Sequence, residues 1–217
     1  MRPVIIGLLI LAAVVALVMV AGQAPFPDSK FEFGVSRDYT GTIEDWPYPI
    51  LATAEAPYLL VAAGKHGFDA SGLAGKQVRL KGTLISRGPD RMLEVVTGSV
   101  QEGAAGAPPL EQMDLGPVKL MGEIVDSKCY LGVMNPGNGK VHHDCAVRCI
   151  SGGAPPAFVA EDAAGNSRTL LLTGADGRAL NKEVLEFVGE PIEVSGTLSR
   201  TGSTLVFKAE PRDFVRK

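Results

Sequence analysis

Residues 72–95, GLAGKQVRLKGTLISRGPDRMLEV, can be laid over residues 186–207, EFVGEPIEVSGTLSRTGSTLVF. Each stretch has a glycine (Gly75, Gly189), an alternating segment (Val78 and Leu80; Ile192 and Val194) and a Gly-Thr-Leu triplet (Gly82 to Leu84; Gly196 to Leu198). A glycine-bearing turn and a second alternating segment follow in both. Period-two alternation punctuated by glycine is the pattern of half-buried antiparallel strands. The correspondence continues upstream. Gly41-Thr-Ile-Glu-Asp45 pairs with Gly122-Glu-Ile-Val-Asp126, and Leu59-Leu60-Val61 pairs with Leu170-Leu171-Leu172. Each leucine-rich triplet is followed by a Gly-containing turn and a short segment compatible with a helical turn.

Two copies of strand, strand, short helix or turn, and a Gly-interrupted strand pair resemble two small five-stranded barrels of the oligonucleotide/oligosaccharide-binding (OB) type. The resemblance covers about 170 residues of the 217. A pair of sandwich-like β-domains is the alternative with the same local pattern. The expectation is a mainly β protein with a first OB-like barrel over 37–102, a linker over 103–116 and a second barrel over 117–217. The linker is marked by the composition of Gly103-Ala-Ala-Gly-Ala-Pro-Pro109.

The two copies differ in one place. Gly41 and Leu60 are 19 positions apart, whereas Gly122 and Leu172 are 50 apart, so the second copy carries about 31 extra residues, an insert over about 128–158. The first copy folds without it, and loop insertions are where function is commonly grafted onto a scaffold. All three cysteines of the chain, Cys129, Cys145 and Cys149, and two of its three histidines, His142 and His143, lie in this segment, SKCYLGVMNPGNGKVHHDCAVRCISGGAPP (127–156).

Within the insert, residues 139–150 (GKVHHDCAVRCI) predict a short helix between the turn-like Asn135-Pro136-Gly137-Asn138 and the stop at Ser151-Gly152-Gly153. At about 100° per residue, His142, Cys145 and Cys149 fall in one narrow stripe. His143 lies off that stripe and is expected beside the site or facing solvent. If the helix folds back over the barrel, Cys129 can complete a Cys129/His142/Cys145/Cys149 set. Four N and S ligands suit zinc, and soft thiolates also suit Cu(I). Met134 and His143 are possible additional ligands, and Met134 would favour copper. Cys-x15-Cys-x3-Cys is not a standard zinc-ribbon spacing. The competing expectation is a disulfide from Cys129 to Cys145 or Cys149, worth ~3 kcal/mol by loop closure, that staples a surface elaboration.

The Cys-x3-Cys pair with a nearby histidine resembles the copper-handling sites of respiratory oxidases and their assembly proteins in ligand type, although here the histidine precedes the pair. In plan, one N-terminal span and an OB barrel beyond it, the chain is similar to the membrane-anchored haem chaperone of cytochrome c maturation. It departs in having two barrels, and no Cys-x2-Cys-His haem-attachment motif occurs.

The chain opens MRPVIIGLLILAAVVALVMVAGQAPFP, in which Val4 to Gly22 is 19 residues without a charge. That is enough helix to cross a hydrocarbon core of ~30 Å. Residues 1–24 are expected to be a membrane anchor, with a cleaved signal peptide as the alternative and residues 25–36 as a juxtamembrane segment. Cleavage at Gly22-Gln23-Ala24 would place Pro25 after the cut, and the apolar run exceeds an ordinary signal core. No cysteine lies at the end of the run, where a lipoprotein would need one. Arg2 precedes the span and places that end in the cytoplasm by the positive-inside tendency, with the remainder in the periplasm or outside.

A formal charge of −3 without a basic cluster argues against a nucleic-acid partner. No acyl-transfer triad, phosphate loop or carboxylate pair stands out, so a hydrolase is not expected. Asp45 and Asp126 hold matching repeat positions and read as a shared strand-end turn. Trp46-Pro47-Tyr48-Pro49 reads as a barrel seal or a contact with the neighbouring domain, and His66 as a solvated turn residue. The functional expectation is a membrane-anchored extracytoplasmic protein that binds a transition metal, copper or zinc. It would serve as an accessory or assembly subunit of a membrane redox system and partner a membrane protein complex. The alternatives are a non-catalytic protein-interaction module with a disulfide-stapled insert, and a thiol oxidoreductase.

Overall fold

The computed structural model describes residues 2–22, 29–45, 47–108, 110–161 and 167–217, so Trp46 and the Gln23-Ala24 half of the cleavage motif lie outside the described residues. Five strands form the first barrel: β1 (Ser29–Asp45), β2 (Pro49–Ala52), β3 (Pro57–Val61), β4 (Lys76–Arg87) and β5 (Asp90–Val95). They run in the order β1-β2-β3-β5-β4, with β3 parallel to β5, and β1 closes the sheet on β4. β6 (Gln101–Ala105) lies along the outer part of β4.

The second barrel repeats this order with β7 (Gln112–Asp126), β8 (Pro156–Glu161), β9 (Ser167–Thr173), β10 (Ile192–Thr201) and β11 (Thr204–Lys208). β9 and β11 are parallel, β7 and β10 close the barrel, and the short β12 (Phe214–Arg216) adds to β10. Two closed five-stranded barrels in tandem follow, as the duplicated pattern predicts.

The strands reach further than the repeat indicates. β1 already pairs with β4 at Ser29, inside the stretch expected to be juxtamembrane. Gly103 to Ala105 belong to β6, and β7 starts at Gln112, both inside the expected linker. An extended chain beside a strand edge satisfies its N–H and C=O groups in the ladder whatever its side chains, so composition alone hid these extensions.

Alternation fills each barrel. Ile43, Leu51, Leu60, Leu80 and Leu93 are fully buried in the first, and Ile124, Phe158, Leu172, Val194 and Phe207 in the second. The Phe158 and Phe207 rings pack 5.3 Å apart. A third cluster joins the two barrels: Val61, Ile85 and Met92 from the first meet Val125, Tyr130, Leu131, Ala157 and Val159 from the second. The barrels are therefore packed against one another through apolar surface, at roughly 25 cal/mol per Å² buried.

Tyr48 pins the same junction. Its hydroxyl accepts the Leu180 N–H at 2.8 Å and donates to the Leu172 carbonyl at 3.1 Å, and burial pushes its pKa far above the ordinary tyrosine value. Tyr48→Phe strands a buried amide and is expected to lower unfolding free energy by about 1–3 kcal/mol, read by chemical denaturation. An unchanged midpoint would mean that water takes over both bonds.

The N-terminal helix α1 (Arg2–Ala21) has 20 residues, and Pro3–Ala21 has a mean hydropathy of 3.2 with none of the span buried in the protein. At 1.5 Å per residue it is about 30 Å long, enough to cross a bilayer core.

Candidate metal centre

The insert occupies 127–155, the connection between β7 and β8, where the first barrel has only residues 46–48 between β1 and β2. It opens with a π-helical turn, Cys129–Val133. Beyond a loop come a 3₁₀ turn, Lys140–His142, and the helix α2 (His143–Ser151). The single helix expected from Gly139 is thus two pieces, with His142 as the residue before α2. Gly139 takes a left-handed φ of 70° and sets the 3₁₀ turn apart from the preceding chain. Cys129 lies past the end of β7, inside the π-helical turn.

No disulfide joins the three cysteines; all are free thiols. The stapled surface elaboration expected as the alternative is replaced by a packed element. Ala146 and Ile150 of α2 enter the core of the second barrel, and Tyr130 and Leu131 enter the shared cluster. Hydrogen bonds close its ends: Ser127 Oγ donates to the Pro155 carbonyl at 2.6 Å, and Asn181 Nδ2 donates to the carbonyls of Ile150 (2.9 Å) and Ala154 (3.1 Å), capping α2. At the other end, Glu123 accepts the Asn138 side-chain amide and the Gly139 N–H.

Periodicity then aims the thiols. With Ala146 and Ile150 turned into the barrel, the neighbouring positions Cys145 and Cys149 face Cys129. One ligand atom each from Cys129, His142 and Cys145 lie within 4.8 Å of one another, and so do those of Asp126, Cys129 and Cys149. Cys129 belongs to both groups. Only Cys145 among these five residues is partly open to solvent.

The four expected ligands are therefore brought together as two overlapping triads, and a fifth group, Asp126, joins them. His143 is directed outward, its Nδ1 2.9 Å from Asp144 Oδ1. Met134 follows the π-helical turn and is 45% exposed.

Asp126 is fully buried and does two things. Oδ1 accepts the Cys129 N–H at 2.8 Å, and Oδ2 lies 3.1 Å from His142 Nε2. The first contact is the strand-end turn expected of this position; the second adds a role that the turn reading did not include. A carboxylate on Nε2 fixes the Nε2–H tautomer and leaves the lone pair of Nδ1 for a metal, the arrangement that commonly orients ligating histidines. Asp126 stands three residues before Cys129, a spacing that suits a turn and so concealed the pairing with His142.

Lys65 was not foreseen either. It belongs to the 62–67 loop of the first barrel, next to the exposed His66, and its Nζ lies 2.7 Å from Cys145 Sγ and 3.7 Å from Cys149 Sγ. Its pKa is raised, first by the hydrogen bond to Cys145. Between the buried thiols, the hydrogen bond to Cys149 and burial push Cys129 far up, whereas the bond from Cys129 draws Cys149 down against burial. Of the two, Cys149 is the sulfur whose surroundings favour the thiolate more.

A cleft of about 440 Å³ between the barrels, lined in part by Ile43, Asp45, Asp176 and Val206, contains no Cys or His. The apolar helix, the tandem barrels and the Cys/His/Asp group define a class: a tandem OB-barrel protein with an N-terminal segment apolar enough for a membrane and a buried group that can hold a metal ion. No protein-family model, curated protein or solved structure matches the chain.

Proposed function

We propose that the protein is a membrane-anchored, extracytoplasmic binder of a transition metal, zinc or copper, held by Cys129, His142 and Cys145 with Cys149 available as a fourth ligand. The observation that carries this reading is the largely buried convergence of two thiols and an imidazole within 4.8 Å, with Asp126 Oδ2 3.1 Å from His142 Nε2. Softness of the thiols selects zinc and Cu(I) over magnesium and calcium. Burial of Cys129, His142 and Cys149 suits holding a metal. The anchor reading rests on the length and apolarity of α1, and the side of the membrane on Arg2 ahead of the span. A compartment where membrane redox complexes are assembled, combined with thiolate ligation, favours an accessory or assembly subunit of such a complex.

A second reading has its own observation. Cys129 and Cys149 are hydrogen-bonded to one another, and Lys65 Nζ lies 3.7 Å from Cys149 Sγ, surroundings that lower the Cys149 pKa as a thiol oxidoreductase requires of its nucleophile. One preparation separates the two. The exported full chain, purified in detergent without chelator, is expected to carry one zinc or copper per chain with its thiols protected until the metal is removed. Absence of metal together with three freely titrating thiols overturns the metal reading; a reversible disulfide without metal supports the thiol-redox one.

A further inference from the structure

Lys65 is no ligand and lies eighty residues before Cys145, yet its ammonium sits on the sulfurs of Cys145 and Cys149. The loop that carries it is fixed rather than draped. Within the loop, the Ala62 N–H donates to the His66 carbonyl, and Gly67 bridges to Val61. Across the interface, the Gly67 N–H donates to the Gly152 carbonyl at 2.9 Å, directly behind α2. The buried Lys128 holds the loop from its other side, with its three donors on the Ala62 carbonyl (2.8 Å), the Gly64 carbonyl (2.7 Å) and Glu94 Oε2 (2.5 Å).

Charge gives this placement a purpose. Three cysteines bound to a metal as thiolates bring three negative charges to one site, and a divalent ion returns two. An excess of buried negative charge is costly unless a cation stands close by. The Lys65 ammonium supplies that charge at hydrogen-bond distance from one sulfur and close to a second, at the partly open side of the group.

We propose that Lys65 is a positioning residue of the metal site, a counter-cation contributed by the first barrel that keeps Cys145 and Cys149 turned toward Cys129 as thiolate ligands. The proposal rests on the metal-binding reading above. It makes the site a property of both barrels: the second supplies the ligands, and the first supplies the charge that holds them.

The test compares wild type, K65M and K65R as full chains in detergent. Zn²⁺ affinity is read by competition with a chromophoric chelator, and Co²⁺ loading by its thiolate-to-metal absorption. K65M is expected to bind Zn²⁺ about 10–100-fold more weakly, the range typical of outer-shell partners, and to give a weaker thiolate-to-cobalt band per bound ion. K65R, which keeps the charge, is expected to stay within about threefold of wild type, well under the tenfold that 1.4 kcal/mol represents. Exchange protection of the Gly67 amide in the metal-free K65M protein is expected to match wild type, since the loop stays docked.

K65M binding as tightly as wild type overturns the proposal and leaves the metal reading standing. K65R as weak as K65M, or loss of Gly67 protection in K65M, also overturns it, because Lys65 would then act through packing. A wild-type chain that takes neither Zn²⁺ nor Co²⁺ removes the metal reading, and this proposal with it.

Discussion

Cys129→Ser is expected to abolish stoichiometric metal binding, the largest single-residue effect expected in this protein. Cys129 is the one residue common to the Cys129/His142/Cys145 and Asp126/Cys129/Cys149 groups, so its loss leaves neither triad whole. Cys145→Ser breaks the first triad alone, and Cys149→Ser the second, yet either loss removes a thiolate from the full set. Both are expected to weaken Zn²⁺ binding by at least about 100-fold, or more than about 2.7 kcal/mol. A hydroxyl fills the space of a thiol but remains protonated and is a poor partner for zinc or Cu(I). The fold is expected to tolerate the change, since the Cys129 contact with Asp126 runs through its backbone N–H. Elemental analysis of the purified variant, with circular dichroism as a control on folding, decides it. A folded Cys129→Ser protein that retains one metal per chain would falsify the assignment.

Two levels of this structure were legible in the residues to different degrees. The barrels were, because a Gly-Thr-Leu frame repeated within one chain is a local signal. The positions it marks, Val78, Leu80, Ile192 and Val194, are all buried in the barrel cores. Of the site, the stripe of His142, Cys145 and Cys149 was legible from helical spacing even though α2 starts at His143, four residues later than expected, with a 3₁₀ turn ahead of it. Asp126 was visible but underread, since its turn role and its pairing with His142 use different oxygens of one carboxylate. Lys65 left no local trace. Its position beside the thiols depends on how one barrel docks on the other, and nothing in Gly64-Lys65-His66-Gly67 distinguishes it from a solvated turn.

Gly152→Ala is expected to unseat that docking. Gly152 has an ordinary backbone, φ −81° and ψ 0°, so the need for glycine here is one of space. A Cβ at this position would lie 1.9 Å from the Lys65 carbonyl oxygen, and one on Gly67 would lie 2.3 Å from the Gly153 carbonyl oxygen. Both obstructing atoms are backbone, so no side chain can swing aside. Either α2 or the 62–67 loop must retreat by more than an ångström, breaking the Gly67 to Gly152 hydrogen bond and drawing Lys65 off the sulfurs. Overpacking of this kind costs about 1–3 kcal/mol, and the lost bond adds about 1. The variant is therefore expected to be destabilised by roughly 2–4 kcal/mol. Its Zn²⁺ affinity should fall at least as far as that of K65M, because the cation leaves together with the wall that carries it. Denaturant unfolding and the same chelator competition read both effects. Unchanged stability would show that the interface yields freely, and the first barrel would then be a neighbour of the metal site rather than part of it.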